Sequence, residues 1–511
     1  MQDFFGEAAF AEAVWNCRSE TPRSDRVLDM AFFNSSCLLI ALAALCTAQS
    51  TAIFPSRAAT PVEIVGNKQI AAELSAIETR ALETLSATDF GVRCDGTTDD
   101  TKAATAALNA AWATGKTLRF PAGDCLMGNI SLPAPSSTVN RTLSFMGTGS
   151  GIWFGGQNPK FGGTRFIFTK ADGSDFMVAN STAYADPTYE ISDISLYGPD
   201  TWHGGDKGDV ASTTKSGSGL KFVGKAVPRL YLHNISIQGF YGPGTAGLWV
   251  SNAEDSSLYE VHVDNVNSCA HFSEAFNAST VVNFECQNAM NDGVFITDSG
   301  SLTWLGGLFQ TNRMTGLHIK GMVASSFTSV HFENNDWSAT TGEGAIKIEA
   351  VYSPGCPKPG DCLSNQNLVF TGDVFNAPTD RIVTLGGGPG GWSNANITMM
   401  NGYANGVATP FVTLNDYSYN WRIVGIIGSA PSAASRVSDA GAGNVILVGN
   451  SAVALHDGNA LSALGNAGVA GDLTVGGDGS FPSLKAKSGT RFICVDTTGK
   501  LLSQATPCSG T

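Results

Sequence analysis

Two carboxylates, Asp264 and Glu285, lie 21 positions apart in a stretch that also carries His262 and Gln287. Polar residues return further along at Gln310, His331 and Glu333, each a multiple of 23 positions from an earlier member of the set. Two carboxyl groups flanking a glycosidic bond can break it, one protonating the leaving oxygen while the other activates a water. An interval that repeats in this way brings residues together in space that are far apart in the chain.

The apolar residues around them keep the same interval. Leu258, Val281, Trp304 and Phe327 form one column, Val261, Phe284, Gly307 and Val330 a second, and Val263, Cys286, Phe309 and Phe332 a third. Asn265, Asn288, Thr311 and Asn334 follow as a column of turn residues, and asparagine tolerates the left-handed backbone that such a turn needs. Most turns then resume with a short strand, GVFI from Gly293, GLHI from Gly316 and GAIKI from Gly344. The period is that of a solenoid, in which each coil buries its apolar face only against its neighbours. With Val261 and Val263 inward, the two-residue period of a strand turns His262 and Asp264 outward. It stacks them with Glu285, Gln287, Leu308, Gln310, His331 and Glu333 into a polar stripe.

Asp264 and Glu285 then occupy adjacent coils with a diagonal offset of two residues. At about 4.8 Å between strands and about 3.3 Å per residue, their backbones are roughly 8 Å apart. That separation suits an inverting hydrolase, where a water must fit beside the sugar. Glu285, next to apolar Leu308, is the expected acid and Asp264 the expected base, with His262 directly across from Glu285 and able to tune it. Glu333, His331 and Asp336 form a second candidate site further on. Gln287, Gln310, His331 and Trp337 are the candidate substrate contacts. Tyr259 and Trp304 could also stack on sugar rings, although Trp304 shares an apolar column and reads as core. No His/Cys cluster has zinc spacing, so no metal site is expected. A polar outward face is equally what a solvated solenoid strand presents, so the alternative is a non-catalytic carbohydrate-binding or spike-like β-helix.

Residues Asp89 to Gly128 read DFGVRCDGTTDDTKAATAALNAAWATGKTLRFPAGDCLMG. Asp95-Gly96 marks a turn, and Asp99 or Asp100 can cap a helix whose small apolar face is Ala104, Ala107, Leu108 and Ala111 and which Gly115 ends. Leu118 and Phe120 alternate with polar residues into Pro121-Ala122-Gly123, a strand and a turn. The stretch resembles the opening of the pectate-lyase-like single-stranded right-handed β-helix superfamily, DFGA-x-GDG-x-TDDT followed by a helix and a VYFPAGTY strand. Polygalacturonases, rhamnogalacturonases, epimerase-like proteins and phage tailspike depolymerases share that opening. The resemblance implies an all-β fold, a right-handed parallel β-helix with an N-terminal capping helix. It also implies an enzyme that cleaves a polysaccharide, with no cofactor unless a lyase uses Ca²⁺, while the choice of a hydrolase over a lyase rests on the carboxylate separation. The polygalacturonase signatures N-T-D, paired D-D and G-H-G are missing from the coil. The nearest approach to R-I-K is His318-Ile319-Lys320, and Asn291-Asp292 is a bare dipeptide.

Composition agrees with this fold class. With 59 Gly and only 14% charged residues, the chain is unlike a helical bundle and suits strands joined by many tight turns. Its 44 acidic residues outnumber 30 basic ones, and no Lys/Arg cluster is present, which removes nucleic acid as a partner. Cys37 to Cys46 form an apolar stretch of signal-peptide length, too short to span a bilayer and followed by small residues. Export is therefore expected, to an extracellular or periplasmic setting. Residues 1–52 are read as signal or as an over-extended start, with Met30 at a normal distance from the apolar stretch. Residues 53–88 are read as a connector, 89–430 as the β-helix, and 431–511 as an Ala/Gly/Ser-rich module. That module is either a stalk or homotrimer tip, or a linker with a disulfide-closed hairpin. Beyond Cys17, Cys37 and Cys46, eight cysteines fall into couples: Cys94 with Cys125, Cys269 with Cys286, Cys356 with Cys362, and Cys494 with Cys508. The couple Cys269 and Cys286, 17 positions apart, is the one least at ease with a 23-residue coil.

Overall fold

The computed structural model describes residues 83–150, 163–199, 216–337, 343–351, 363–388, 392–407, 410–428 and 437–448, together with the strand backbones Ala452–His456, Phe492–Val495 and Leu501–Gln504. The export segment, most of the connector, the couple Cys356 and Cys362, and the side chains of Cys494 and Cys508 fall outside the described residues.

Each repeat forms one coil. The strand Ser257–Val266 pairs in parallel with Thr280–Ala289, which pairs with Thr303–Gln310, which pairs in turn with Ser326–Thr328 and His331–Glu333. The short strands after each turn stack into a second parallel sheet that runs through Leu220–Gly224, Leu248–Ser251, Ala270–Ser273, Val294–Gly300, Leu317–Val323 and Ile346–Ala350. The architecture is the expected parallel β-helix.

The apolar columns stand in register. Val263, Cys286, Phe309 and Phe332 are successive partners, as are Leu258, Val281, Trp304 and Phe327, and all are buried. Trp304 is core, its Nε1 donating to the Gly306 carbonyl at 3.1 Å, and so is no sugar platform. Phe309, Phe332 and Phe375 stack at 5.1 and 5.0 Å, each such pair contributing about 0.5–1.5 kcal/mol beyond burial. Asn265, Asn288, Thr311 and Asn334 all adopt φ between 52° and 57°, the left-handed turn expected of them. The second column breaks from Val and Phe to Gly307 for a steric reason. Its φ is +106°, and a Cβ there would meet the Phe284 carbonyl oxygen at 2.2 Å.

Parallel pairing continues past residue 430, where the sequence places the end of the coil. Val437–Asp439 pairs with Val412–Leu414, and Asn444–Val448 with Arg422–Val424, before Ala452–His456 folds back antiparallel. Near the C-terminus, Phe492–Val495 and Leu501–Gln504 form an antiparallel pair. Among the described residues no helix is long and apolar enough to cross a membrane.

In the opening motif, the helix Thr101–Thr114 buries Ala104, Ala107, Leu108 and Ala111 and ends at Gly115, whose N–H reaches the Ala111 carbonyl at 2.8 Å. Asp99 Oδ1 accepts the Thr101 N–H at 2.9 Å. Asp100 turns the other way, its two oxygens accepting the N–H groups of Arg93 and Cys94, each at 2.9 Å. Disulfides join Cys94 to Cys125 and Cys269 to Cys286. The second one forms despite the short interval because it runs from the turn before Ala270 to an inward position one coil later. Asp100→Ala strips both acceptors from two backbone donors beside a fully buried side chain, so a loss of about 2 kcal/mol is expected. Denaturant unfolding checks this, with Asp100→Asn intermediate; wild-type stability in Asp100→Ala would contradict the role.

Candidate functional site

The register sets His262 opposite Glu285 and Asp264 opposite Gln287, as the repeat requires. His262 Nδ1 lies 2.8 Å from Glu285 Oε2. Facing away from the apolar columns does not mean exposure here, since His262 is 3% and Asp264 8% accessible. Both Asp264 oxygens are occupied, Oδ1 by Asn288 Nδ2 and Oδ2 by Asn265 Nδ2, each at 2.8 Å. The carboxylate thus braces the column of turn asparagines. Burial raises its pKa, against the pull of His262 and the two amides, so the group expected to be a base is held toward its protonated form. Gln287 beside it is buried as well.

Further along the same stripe, Gln310 Nε2 donates to Glu333 Oε2 at 3.1 Å, and His331 Nε2 stands 4.0 Å from that oxygen. Asp336 is fully buried, and its Oδ2 accepts the Gly344 N–H at 3.0 Å. Trp337 follows it in the chain, half-buried.

A denser arrangement lies on the second sheet. His318 points outward from Leu317–Val323, in register with Phe295 on one side and Lys347 on the other. Its Nδ1 is 2.7 Å from Asp292 Oδ2 and its Nε2 3.0 Å from Glu349 Oε2. Asp292 comes from the turn ahead of Val294–Gly300 and Glu349 from Ile346–Ala350, so three consecutive coils converge on one imidazole. Lys320 Nζ stands 3.9 Å from Glu349 Oε1, while Lys347 Nζ is 3.8 Å from Glu349 Oε2 and 2.8 Å from Glu343 Oε1.

The electrostatics follow from these contacts. Burial by itself would lower the His318 pKa, but the hydrogen bonds to Asp292 and Glu349 outweigh it, and the net shift is upward. A ring with a carboxylate at each nitrogen is best satisfied doubly protonated. Glu349 is drawn down to about 2, chiefly by His318, against its own desolvation and with help from Lys320 and Lys347. A proton donor, itself buried at 7% accessible, and a half-buried ionised carboxylate therefore sit side by side on the side of the sheet that faces away from the coil interior. In the sequence His318 and Asp292 stand out only as a near miss to R-I-K and as a bare dipeptide, and Glu349 not at all. The signal for His318 is the outward column of the strands after the turn, Trp249, His271, Phe295, His318 and Lys347, whereas Asp292 stands in a turn outside that column. Among the described residues, the one His/Cys/Asp/Glu group close enough to hold a metal ion is Cys94, Asp100 and Cys125, and its two sulfurs are joined to each other.

No protein-family model matches the chain, and no curated protein matches its sequence. Several solved structures match at low identity. The A-module of the Azotobacter vinelandii mannuronan C-5 epimerase AlgE4 is 14% identical with a TM-score of 0.44, over 71% of this chain and 99% of that module. The Dettilon tailspike protein is 11% identical with a TM-score of 0.48, over 71% and 70% of the two chains. The Streptococcus pneumoniae surface protein and adhesin PfbA is 12% identical with a TM-score of 0.43, over 72% and 98%. The chemistry of this chain has to be read from its own side chains.

Proposed function

We propose that the protein acts on an extended polysaccharide and cleaves its glycosidic bonds at His318. The observation that carries this reading is the His318 ring clamped between Asp292 and Glu349 on the outward face of the second sheet. In this reading the leaving oxygen takes the place of Glu349 Oε2 at His318 Nε2 and receives that nitrogen's proton as the carbon–oxygen bond breaks. Asp292 orients the ring from Nδ1. Donor and carboxylate are 3.0 Å apart, so both address one face of the sugar. That favours elimination over inverting hydrolysis, in which water attacks the face opposite the leaving group. Elimination needs a sugar carboxylate beside the carbon that loses its proton, and Lys320 and Lys347 are placed to balance that charge. Glu349 takes the carbon-bound proton, the freed electron pair becomes the double bond, and the leaving oxygen departs with the proton from His318. Loss of the imidazolium charge also relieves the pull that keeps Glu349 acidic, so each transfer assists the other. Afterwards the proton on Glu349 returns to His318 across their contact. The two disulfides support an extracellular or periplasmic setting for this chemistry.

The test is incubation with alginate, polygalacturonate and neutral glucans while following new reducing ends and the ultraviolet absorbance of an unsaturated product. Both signals together are expected. Reducing ends without the absorbance would mean hydrolysis and would overturn the one-face mechanism. Binding with neither signal would overturn cleavage and favour a non-catalytic carbohydrate-binding β-helix.

A further inference from the structure

Positions that face away from the coil interior carry polar side chains on the first sheet, at Gln310 and Glu333 for example. On the second sheet the corresponding column is a row of rings. Lys221, Trp249, His271, Phe295, His318 and Lys347 are successive register partners, one per coil. Ring centroids are 4.2 Å apart from Trp249 to His271, 4.9 Å from His271 to Phe295, and 4.8 Å from Phe295 to His318. Lys221 Nζ sits 4.9 Å above the Trp249 ring and is held from behind by Asp175 Oδ2 at 3.0 Å. The Trp249 ring is oriented in turn by its Nε1–H, which donates to Ser251 Oγ at 3.3 Å. Trp249, His271 and Phe295 are all half-buried, so part of each remains open to solvent. Burial, and then the nearby Lys221 charge, push the His271 pKa down to about 4, which makes this member of the row a neutral ring near pH 7.

We infer that Trp249, His271 and Phe295 form a binding row for successive sugar units of a polysaccharide, on the Lys221 side of His318. The inference rests on the polysaccharide reading given above and adds to it where and how the chain is held. Stacked strands repeat at about 4.8 Å, so the row from Lys221 to Lys347 spans roughly 24 Å along the coil axis, enough for several sugars. A sugar ring has one face of C–H groups and a rim of hydroxyls. The ring surface that these tilted, half-buried rings leave open takes the first, while Lys221 and the charged groups around His318 take the second. The row runs without interruption into the His318 cluster, so a chain lying on it delivers its next linkage to the proton donor. That continuity singles out a sugar chain as the occupant.

Titration of the full chain with disaccharides and hexasaccharides of alginate, polygalacturonate and a neutral glucan tests this through indole fluorescence and calorimetry. For at least one probe the hexasaccharide is expected to bind about tenfold or more tighter than the disaccharide. Trp249→Ala removes that length advantage and raises KM on polymer. Trp249→Phe keeps a ring in the row, so it keeps the advantage while losing the binding-linked part of the fluorescence change. A length advantage that survives Trp249→Ala, or none in the wild type, overturns the row. Length-dependent binding that Trp249→Ala abolishes, with no probe ever cleaved, sustains the row and overturns the cleavage reading alone.

Discussion

His318→Gln is expected to lower kcat/KM on the cleaved polysaccharide by at least about 100-fold, the contribution of a positioned proton donor. Glutamine keeps one donor for Asp292 or Glu349 and has no proton to give up, so the fold should survive the change better than with alanine. The pH profile separates a chemical role from a structural one. His318 is favoured as imidazolium, with its pKa raised above the ordinary value of 6.5, so wild-type activity should decline on the alkaline side as the ring loses its proton. Glu349, at about 2, is ionised across the whole working range and adds no limb near neutral pH. In His318→Gln the residual activity should lack the alkaline limb. Stability moves in the same direction in the wild type. The folded state binds this proton more tightly than the unfolded one, so the ion cluster stabilises fully below about 6.5 and its contribution fades as pH rises through the raised value. Full turnover in His318→Gln, or an unchanged alkaline limb, would rule out the donor role. As a contrast, Asp264→Asn and Glu285→Gln should keep turnover within about threefold, since acid–base catalysis is assigned elsewhere. Losses of about 100-fold in both would move the chemistry back to the first sheet.

Much of the coil is readable in the sequence because the interior permits few exceptions. An inward position must be apolar in every turn, so Val263, Cys286, Phe309 and Phe332 show the period plainly, and the turn asparagines show it again through their left-handed φ. The opening helix is readable for the same reason, from Ala104, Ala107, Leu108 and Ala111. The outward positions carry no such constraint. Alternation correctly gives the side of the strand for His262 and Asp264, but surrounding structure decides whether that side meets solvent, and here it does not. The His318 cluster escapes the repeat arithmetic on three counts. Asp292 belongs to a turn and to no strand column. His318 lies in the second strand of the repeat, whereas the polar stripe of Asp264 and Glu285 runs along the first. Glu349 comes after the longer turn between Asn334 and Gly344, which stretches the interval from His318 to its partner Lys347 to 29 positions. A period of 23 cannot align residues across such an insertion. Only pairing in three dimensions joins them.

A second large effect should appear in stability. Asp373 is almost fully buried, with Oδ1 accepting the Val330 N–H at 2.8 Å and Oδ2 without a hydrogen-bond partner. Burial outweighs that single bond and raises its pKa from 3.8 to about 7. The sign follows directly. Between these values the folded protein holds a proton that the unfolded chain releases, so stability falls as pH rises through the window and levels off above about 7. A shift of this size corresponds to at most about 4 kcal/mol by pH 8. Asp373→Asn removes the ionisation and keeps the Oδ1 acceptor, at the cost of a new amide donor worth about 1–3 kcal/mol if it stays unmatched. The variant should therefore melt higher than the wild type at pH 8, and the gap should close or reverse by pH 5. Asp380, raised to about 6 by its own burial, titrates in the same window, but it does so in both proteins and cancels from the difference. Thermal unfolding of both proteins at several pH values gives the answer. A difference that stays constant from pH 5 to 8 would mean that Asp373 carries no proton in the folded state, and that the buried oxygen is satisfied by some other group.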